Sequence, residues 1–428
     1  MDLKKSPSIE GGKASNALND IRVPLERFGR LLSTAAILFI VAYAVGVIVV
    51  LSSGYVEDES RQVDFVALWA AAKFAVAGDP ILAFDQEALR SVQLLPPGSD
   101  VKELYWLYPP GLQLLLAPLG LLPYWAAWLV FIVLSLAVFT GTLWRFAGAV
   151  PMGRNLLLGA PAVLITMQLG QLSLLWSAGL VAALRAMAQG RPAVAGLLIA
   201  MLSLKPQLGL LIPFMLVAGK RWDVLLWACV GAFLIHAIPT LYVGVEYWIL
   251  FFDVMQRTTS AIGADTMPHH LMVTPYAFLR FLGLPHLPSI FTQVVLSLSL
   301  VLGVIMLWSW RSGKFDLLAG SLLIAIPIAT PYAFYYELAL SIPAAIFLVR
   351  GGYGAKILDR ILLAIIIFGP AGLWFVPAST PLAPLFAPVL VMIFARSFLF
   401  ARQSASRAPN DAAHNPSPLR PGPGAGKS

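Results

Sequence analysis

Charged residues are scarce in this chain. Asp, Glu, Lys and Arg make up only 12% of its 428 residues, whereas about 25% is usual for a soluble domain. Apolar residues make up 59%, and the mean hydropathy is +0.81. A water-soluble globular protein is therefore excluded, and the lipid bilayer is the solvent in which most of the chain has to fold. The single cysteine, Cys229, excludes an intrachain disulfide.

Long uncharged runs are what the sequence has instead. The first, Leu31–Leu51, is long enough to cross roughly 30 Å of hydrocarbon, and no small-residue cleavage motif follows it, so we interpret it as a retained span. Pro109–Pro123 is apolar but short, which favours a re-entrant or interfacial segment. Eleven further runs lie at 124–144, 155–169, 171–188, 192–204, 206–219, 222–243, 289–310, 315–329, 331–349, 361–376 and 382–400. The predicted fold class is an all-α polytopic membrane protein with about 12 transmembrane helices.

Charge placement predicts the domain organisation and the orientation. Residues 1–28 and 403–428 are polar enough to be disordered cytoplasmic tails, and residues 29–402 form the membrane domain. With the N-terminus in the cytoplasm, most Lys and Arg residues lie on the cytoplasmic side, as the positive-inside rule requires. The opposite orientation would translocate most of them.

Two segments on the outer side, 52–108 and 244–287, are too long to be turns. The first holds nine of the 21 acidic residues and only four basic ones. Long ordered loops are disproportionately functional, although outer loops can be acidic simply because they are not basic. We expect amphipathic helices in these loops.

Asp64 and Lys205 are the two candidates for chemistry. Asp64 begins the segment 64–74, which we interpret as an amphipathic helix on the membrane surface. Its carboxylate either caps that helix or acts as a general base that takes a proton from an acceptor hydroxyl. Lys205 either extends to lipid headgroups or binds a phosphate. In the second case Pro206 would open a helix whose free N–H groups face the same anion.

Other polar residues lie on the same predicted side, and their side chains suit sugar hydroxyls. Packing explains any one of them taken alone, but together they favour a substrate site. The residues assigned to substrate binding are Tyr108, Gln171, Gln207, Tyr332 and Glu337.

The histidines do not indicate a metal site. His269 and His270 lie in a loop without further positioned ligands, so they are better suited to hydrogen-bond a phosphate or a hydroxyl. His236 lies within a span and is interpreted as a packed, hydrogen-bonded histidine. No Gly-rich phosphate loop, nucleophile elbow or metalloprotease motif occurs. The sequence predicts no cofactor, and it neither requires nor excludes a divalent cation.

A series of short motifs follows in order along residues 31–400. They are Asp64-Phe65, Gly78-Asp79-Pro80, Phe84-Asp85, Tyr108-Pro109-Pro110, Ala117-Pro118-Leu119, Gly170-Gln171, Ser203-Leu204-Lys205-Pro206-Gln207 and Thr330-Pro331-Tyr332. The series resembles glycosyltransferase family 87 of the polytopic GT-C superfamily. Members of that family resemble α-mannosyltransferases that use a polyprenyl-phosphate sugar. The late segment Ala333–Glu337 lacks a histidine that we associate with the mannosyl members, which leaves the sugar open.

The resemblance implies a GT-C-like bundle and an inverting transfer of a mannose-like hexose or a pentose. The donor would be a polyprenyl-phosphate sugar, and the acceptor a lipid-linked or envelope glycan at the periplasmic face of the bacterial cytoplasmic membrane. An aspartate of the first outer loop would be the base; Asp64 matches by position, and Asp58 competes. Lys205 would meet the donor phosphate, with His269 and His270 nearby. The implied partners are these substrates and membrane lipids, without nucleic acid.

Two other function classes remain as alternatives. A transporter or lipid-linked saccharide flippase also suits about twelve spans, but it is disfavoured by the scarcity of charge within the spans and by the lack of an inverted repeat. A non-catalytic membrane scaffold would have no need for Asp64 and Lys205 on one aqueous side.

Overall fold

The computed structural model describes residues 27, 29–42, 45, 64–96, 104–150, 153–263, 267–310, 314–376 and 379–414. Within these residues the regular secondary structure is helical, apart from one isolated bridge between Met272 and Phe334. The helices are α1 (Gly29–Ala42), α2 (Phe65–Ala77), α3 (Gln86–Gln93), α4 (Pro110–Gly120), α5 (Tyr124–Ala147), α6 (Gly153–Gly159), α7 (Pro161–Leu169), α8 (Ser173–Ala188), α9 (Pro192–Ala200), α10 (Pro206–Gly209), α11 (Ile212–Ala218), α12 (Trp222–Val243), α13 (Glu246–Gly263), α14 (Pro275–Phe281), α15 (His286–Ser309), α16 (Phe315–Ile328), α17 (Ser341–Arg350), α18 (Ile357–Phe368), α19 (Gly372–Phe375) and α20 (Phe386–His414).

Five stretches of the described chain are long and apolar enough to cross a membrane: α5, α12, α15, Ile357–Phe375 and Ala383–Ala405. Large apolar side chains on these helices, such as Phe233 and Phe291, are largely exposed, as expected of surfaces that contact lipid. The predicted all-α membrane architecture is confirmed. The number of about twelve spans is not, because seven further apolar helices have only 10–17 residues.

Prolines account for several of the short helices. The predicted run 206–219 is divided into α10 and α11 just before Pro213, and the run 155–169 is divided into α6 and α7 at Pro161. Proline lacks an N–H and disfavours the helical conformation in the residue before it. Pro206 opens a helix directly after Lys205, as predicted, but this helix has only four residues before it ends and the chain continues as α11.

The interpretation of α2 as an amphipathic surface helix is wrong. Ten of its 13 residues are buried, including Phe65 and Trp69. Its sequence is apolar on every side except at Lys73, so it has no polar face to turn to water. The helix packs closely on α4, where a Cβ at Gly120 would lie 2.5 Å from the Ala72 carbonyl oxygen. The predicted re-entrant segment is therefore a short helix packed between α2 and α12.

The two outer loops pack together through aromatic residues. The buried hydroxyl of Tyr247, on α13, accepts a hydrogen bond of 2.7 Å from Trp106 Nε1 and donates one of 3.3 Å to the Tyr108 carbonyl oxygen. The Phe84 ring packs edge-on against Tyr247 at 4.7 Å. Amphipathic helices do occur here: α3 buries Leu89, and α13 buries Tyr247. These contacts fix the segment that carries Tyr108.

The first part of the predicted C-terminal tail is helical. Helix α20 continues to His414, past residue 402, where the membrane domain was expected to end. The residues that follow the span include Ala401, Arg402 and Gln403, which favour a helix. The predicted N-terminal tail lies almost entirely outside the described residues.

Candidate active site

Asp64 is held by a residue far away in the sequence. Gln171 Nε2 donates a hydrogen bond of 2.7 Å to Asp64 Oδ2. Asp64 has helical backbone angles and makes no capping bond to α2, whereas an N-cap residue has extended angles that turn its oxygen towards the first N–H groups. The interpretation of Asp64 as an N-cap is therefore wrong, and its carboxylate belongs to a tertiary cluster. Asp58 lies outside the described residues.

The turn between α7 and α8 brings Gln171 to Asp64. Gly170 ends α7 at φ +65°, a conformation that glycine adopts without strain. A Cβ on Gly170 would lie 2.5 Å from Cβ of Phe65, the first residue of α2. Glycine thus allows both the turn and the close approach of the two helices. The second amide atom, Gln171 Oε1, is buried without a hydrogen-bond partner within the described structure.

Lys205 turns inward and forms a buried ion pair with Glu337. The exposed fractions of the two side chains are only 5% and 1%, so the interpretation of Lys205 as a cation that reaches lipid headgroups is wrong. Ser173, in the first turn of α8, donates a hydrogen bond of 3.0 Å to Glu337 Oε2. The Lys205 ammonium also lies 5.1 Å from the centre of the Tyr336 ring. Buried charges of this kind require such partners.

The surroundings change the acid–base properties of the site. Burial raises the pKa of Asp64 to about 6, although the hydrogen bond from Gln171 and the positive charge of Lys205 both act to lower it. Burial also raises the pKa of the Tyr108 hydroxyl, and the negative charges of Glu337 and Asp64 raise it further. At neutral pH, Asp64 is therefore largely ionised and is a stronger base than an ordinary aspartate.

The late motif lies beside the histidine loop. Val273 N–H donates to the Ala333 carbonyl oxygen at 2.9 Å, and the Thr274 hydroxyl donates to the Pro331 carbonyl oxygen at 3.3 Å. These bonds hold the turn His269–Leu271 against the segment that carries Tyr332. The Tyr332 side chain is half-buried and packs on Phe334. Burial raises the pKa of the Tyr332 hydroxyl; the negative charge of Asp64 also raises it, and the positive charge of Lys205 lowers it.

Gln207 and His236 lie at the edge of the cluster. Gln207 is half-buried in α10, and within the described structure it makes no hydrogen bond to Asp64, Lys205 or Glu337. His236 Nε2 lies 2.9 Å from the Ser203 hydroxyl, and its ring packs edge-on against Trp248. The interpretation of His236 as a packed, hydrogen-bonded histidine is confirmed.

Sequence reasoning missed Ser173 and Tyr336. Ser173 is the first residue of α8 and lies two residues after Gln171. Its closeness in sequence to a predicted site residue is the signal that could have identified it. In the described parts of the chain, no group of three or more His, Cys, Asp or Glu side chains could hold a metal ion.

The fold and this cluster define a class of protein: a helical membrane protein with a polar, ionisable site between its helices. The model of glycosyltransferase family 87 matches residues 106–331, slightly more than half of the chain. The chain therefore belongs to glycosyltransferase family 87, which indicates a membrane glycosyltransferase. Comparison with curated proteins gave no match, and comparison with solved structures also gave none. The matched region contains Gln171 and Lys205, while Asp64 precedes it and Glu337 follows it.

Proposed function

We propose that this protein transfers a mannose-like hexose or a pentose, with inversion, from a polyprenyl-phosphate donor to a lipid-linked or envelope glycan. Asp64 is the general base in this proposal, and Lys205 binds the donor phosphate. The observation that carries it is the contact between Asp64 and Gln171, because it holds a carboxylate that caps no helix and has a raised pKa. Lys205 belongs to the same cluster, and among the described residues it is the only lysine that is more than nine-tenths buried.

The proposed reaction follows from these two charges. Asp64 takes the proton from the acceptor hydroxyl, whose oxygen attacks the anomeric carbon from the face opposite the phosphate. The bond between that carbon and the phosphate oxygen breaks, and polyprenyl phosphate leaves with the electron pair. Lys205 stabilises the negative charge that develops on the phosphate. A positioned base contributes a factor of about 100 to 10,000.

Polar groups around the cluster are proposed to bind the sugars. Gln171 Oε1 has no hydrogen-bond partner within the described structure and can accept a bond from a sugar hydroxyl. The Tyr108 and Tyr332 hydroxyls are close enough to Asp64 for its negative charge to raise their pKa values. Gln207 keeps its assignment to substrate binding. His269 and His270 are proposed to assist at the donor phosphate, since the residues that follow them bond to the carbonyl groups on either side of Tyr332.

The direction of three helices supports a site that faces the periplasm. Helices α5, α8 and α17 begin near the cluster, and their other ends carry arginines. There, Arg185 donates to the Thr142 carbonyl oxygen at 2.9 Å, and Arg185 and Arg350 lie 5.9 and 4.5 Å from the centre of the Phe146 ring. Arginines concentrate on the cytoplasmic side of membrane proteins. We therefore propose that the site faces the periplasm, in a multi-pass protein of the bacterial cytoplasmic membrane. The proposed number of about twelve spans counts the shorter apolar helices together with the five long ones.

No cofactor is assigned in this proposal. A polyprenyl-phosphate sugar is already activated because its leaving group is a phosphate. Lys205 supplies a positive charge at that group, which is the part a divalent cation plays in many other sugar and phosphoryl transfers.

The test uses the purified chain and a panel of polyprenyl-phosphate sugars, with released polyprenyl phosphate measured by mass spectrometry. Asp64→Asn is expected to lose at least 100-fold in turnover and to keep its affinity for the donor. Glu87→Gln, an exposed carboxylate of the same outer loop, is the control and should retain turnover. Wild-type turnover in Asp64→Asn would refute the base assignment. A transporter would instead show flux in sealed vesicles that survives Asp64→Asn.

A further inference from the structure

The Lys205 ammonium is paired with a carboxylate of the protein itself. Glu337 Oε1 is its partner, and Ser173 holds the second oxygen of the same carboxylate. With Asp64 ionised, the three charged side chains of the cluster carry a net charge of −1. A phosphate that binds at Lys205 therefore enters a site with a fixed negative charge beside it. Glu337 is almost fully buried, so water screens its negative charge only partly.

The donor and the product of the proposed reaction differ in charge. A sugar phosphate linked to a polyprenol is a phosphodiester and carries one negative charge. The product, polyprenyl phosphate, is a monoester, and its second ionisation has a pKa near 6, so it carries close to two negative charges at pH 8. A fixed carboxylate beside the phosphate site repels the product more strongly than the donor.

We propose that Glu337 is a specificity residue, which makes the site bind the singly charged phosphodiester donor in preference to the doubly charged monoester product. This inference rests on the proposed function and extends it to the release of product. Lys205 provides the attraction that both ligands need, and Glu337 sets the difference between them. Ser173 fixes the carboxylate, so that it does not swing away when the phosphate arrives.

The position of Glu337 separates this role from that of a base. Its exposed fraction is 1%, and both of its oxygens are occupied by Lys205 and Ser173. Asp64, in contrast, is only partly buried and has one carboxylate oxygen that Gln171 does not contact. The two carboxylates thus differ in access to substrate as well as in partners.

The experiment compares two lipids that carry no sugar, so that the result does not depend on the identity of the sugar. Farnesyl methyl phosphate represents the singly charged diester, and farnesyl phosphate represents the monoester. Dissociation constants for the purified full-length chain in detergent are measured by calorimetry at pH 8. The variants are Glu337→Gln, which removes the charge, and Glu337→Asp, which keeps it. Asp359→Asn is the matched control, because Asp359 is also a buried carboxylate and pairs with Arg396 outside the cluster.

Glu337→Gln is expected to tighten binding by about tenfold for each negative charge on the lipid, as calculated for a unit charge about 6 Å away at an effective dielectric constant of about 40, which lies between the values for a protein surface and for water. The diester then gains about tenfold and the monoester about 100-fold, so their affinity ratio changes about tenfold. Glu337→Asp and Asp359→Asn should keep the wild-type ratio. A variant that is merely misfolded cannot show tighter binding.

Three outcomes contradict the inference. The first is an unchanged affinity ratio in Glu337→Gln, and the second is weaker binding of both lipids, which would mean that Glu337 is needed to keep Lys205 in place. The third needs no variant: if the wild-type protein binds the monoester more tightly than the diester, Glu337 does not select for the donor. If the wild-type protein binds neither lipid, it is the proposed donor class that fails.

Discussion

Replacing Gln171 by leucine tests the acid–base chemistry of the site directly. The side chain keeps its approximate size but loses the amide that donates to Asp64 Oδ2 at 2.7 Å. That hydrogen bond lowers the pKa of Asp64, while burial raises it to about 6. Without the bond, the pKa of Asp64 rises further, because the ionised form loses a partner and the neighbouring leucine does not solvate it.

The size of the effect follows from the strength of a hydrogen bond to a charged group. Such a bond contributes about 1.5–3 kcal/mol, and one pKa unit corresponds to about 1.4 kcal/mol, so the pKa of Asp64 should rise by about 1–2 units. A general base has to be ionised, so transfer is lost as the pH falls through its pKa. At pH 7, the wild-type carboxylate is roughly 90% ionised, and the Gln171→Leu carboxylate should be roughly 10–50% ionised.

The assay is the initial rate of sugar transfer between pH 5 and pH 9.5. The acid limb of the profile should move from about pH 6 to about pH 7–8 in Gln171→Leu, with substantial recovery of the rate at the alkaline end. Gln113→Leu is the control, because Gln113 is also a buried glutamine but donates only to the backbone carbonyl oxygens of Ala71 and Pro80. An acid limb that stays in place in Gln171→Leu, or moves to lower pH, would refute the assignment of Asp64 as the base.

Two further predictions concern stability. Asp64→Asn should raise the thermal unfolding midpoint at pH 8 but not at pH 4, since a carboxylate whose folded-state pKa is raised destabilises the fold only where it is ionised. Scanning fluorimetry in detergent at both pH values measures the midpoint, and an equal shift at the two pH values would contradict this prediction. Gly170→Ala should lower both the midpoint and the transfer rate, because alanine is strained at φ +65° by about 1–2 kcal/mol and would also collide with Phe65. Gly190→Ala, at φ +70° in open space, bears the strain without the collision, so an equal loss in the two variants would show that contact with Phe65 is unimportant.

The composition of the chain explains why the sequence singles out Asp64 and Lys205 as candidates. In a sequence with so few charges, an aspartate and a lysine beside apolar runs stand out, because ionisable groups at membrane depth usually face a cavity or a partner. The orientation from the basic residues then placed Asp64, Gln171 and Lys205 on one side, and the structure brings them together. Neither step required knowledge of the contacts.

The partners of these residues could not be predicted in the same way. The Lys205–Glu337 pair spans 132 residues, and no periodicity in the sequence relates two positions that far apart. For Asp64, the local signal favoured a helix cap as strongly as a tertiary contact, and only its backbone angles and its bond to Gln171 decide between them. The number of spans is not confirmed for a different reason: mean hydropathy does not register the prolines that divide an apolar run into short helices.

The turn between α7 and α8 connects the two halves of the proposed chemistry. Gln171 bonds the proposed base, and Ser173, two residues later, bonds the carboxylate that pairs with Lys205. A displacement of this turn would therefore change proton abstraction and phosphate binding together. Because Gly170 fixes the turn against Phe65, the packing of α2 on this turn couples the proposed base to the proposed phosphate site, although Asp64 and Glu337 lie far apart in the sequence. The candidate site is thus a single unit, in which the low dielectric constant that raises the basicity of Asp64 also strengthens the attraction of Lys205 for an anion.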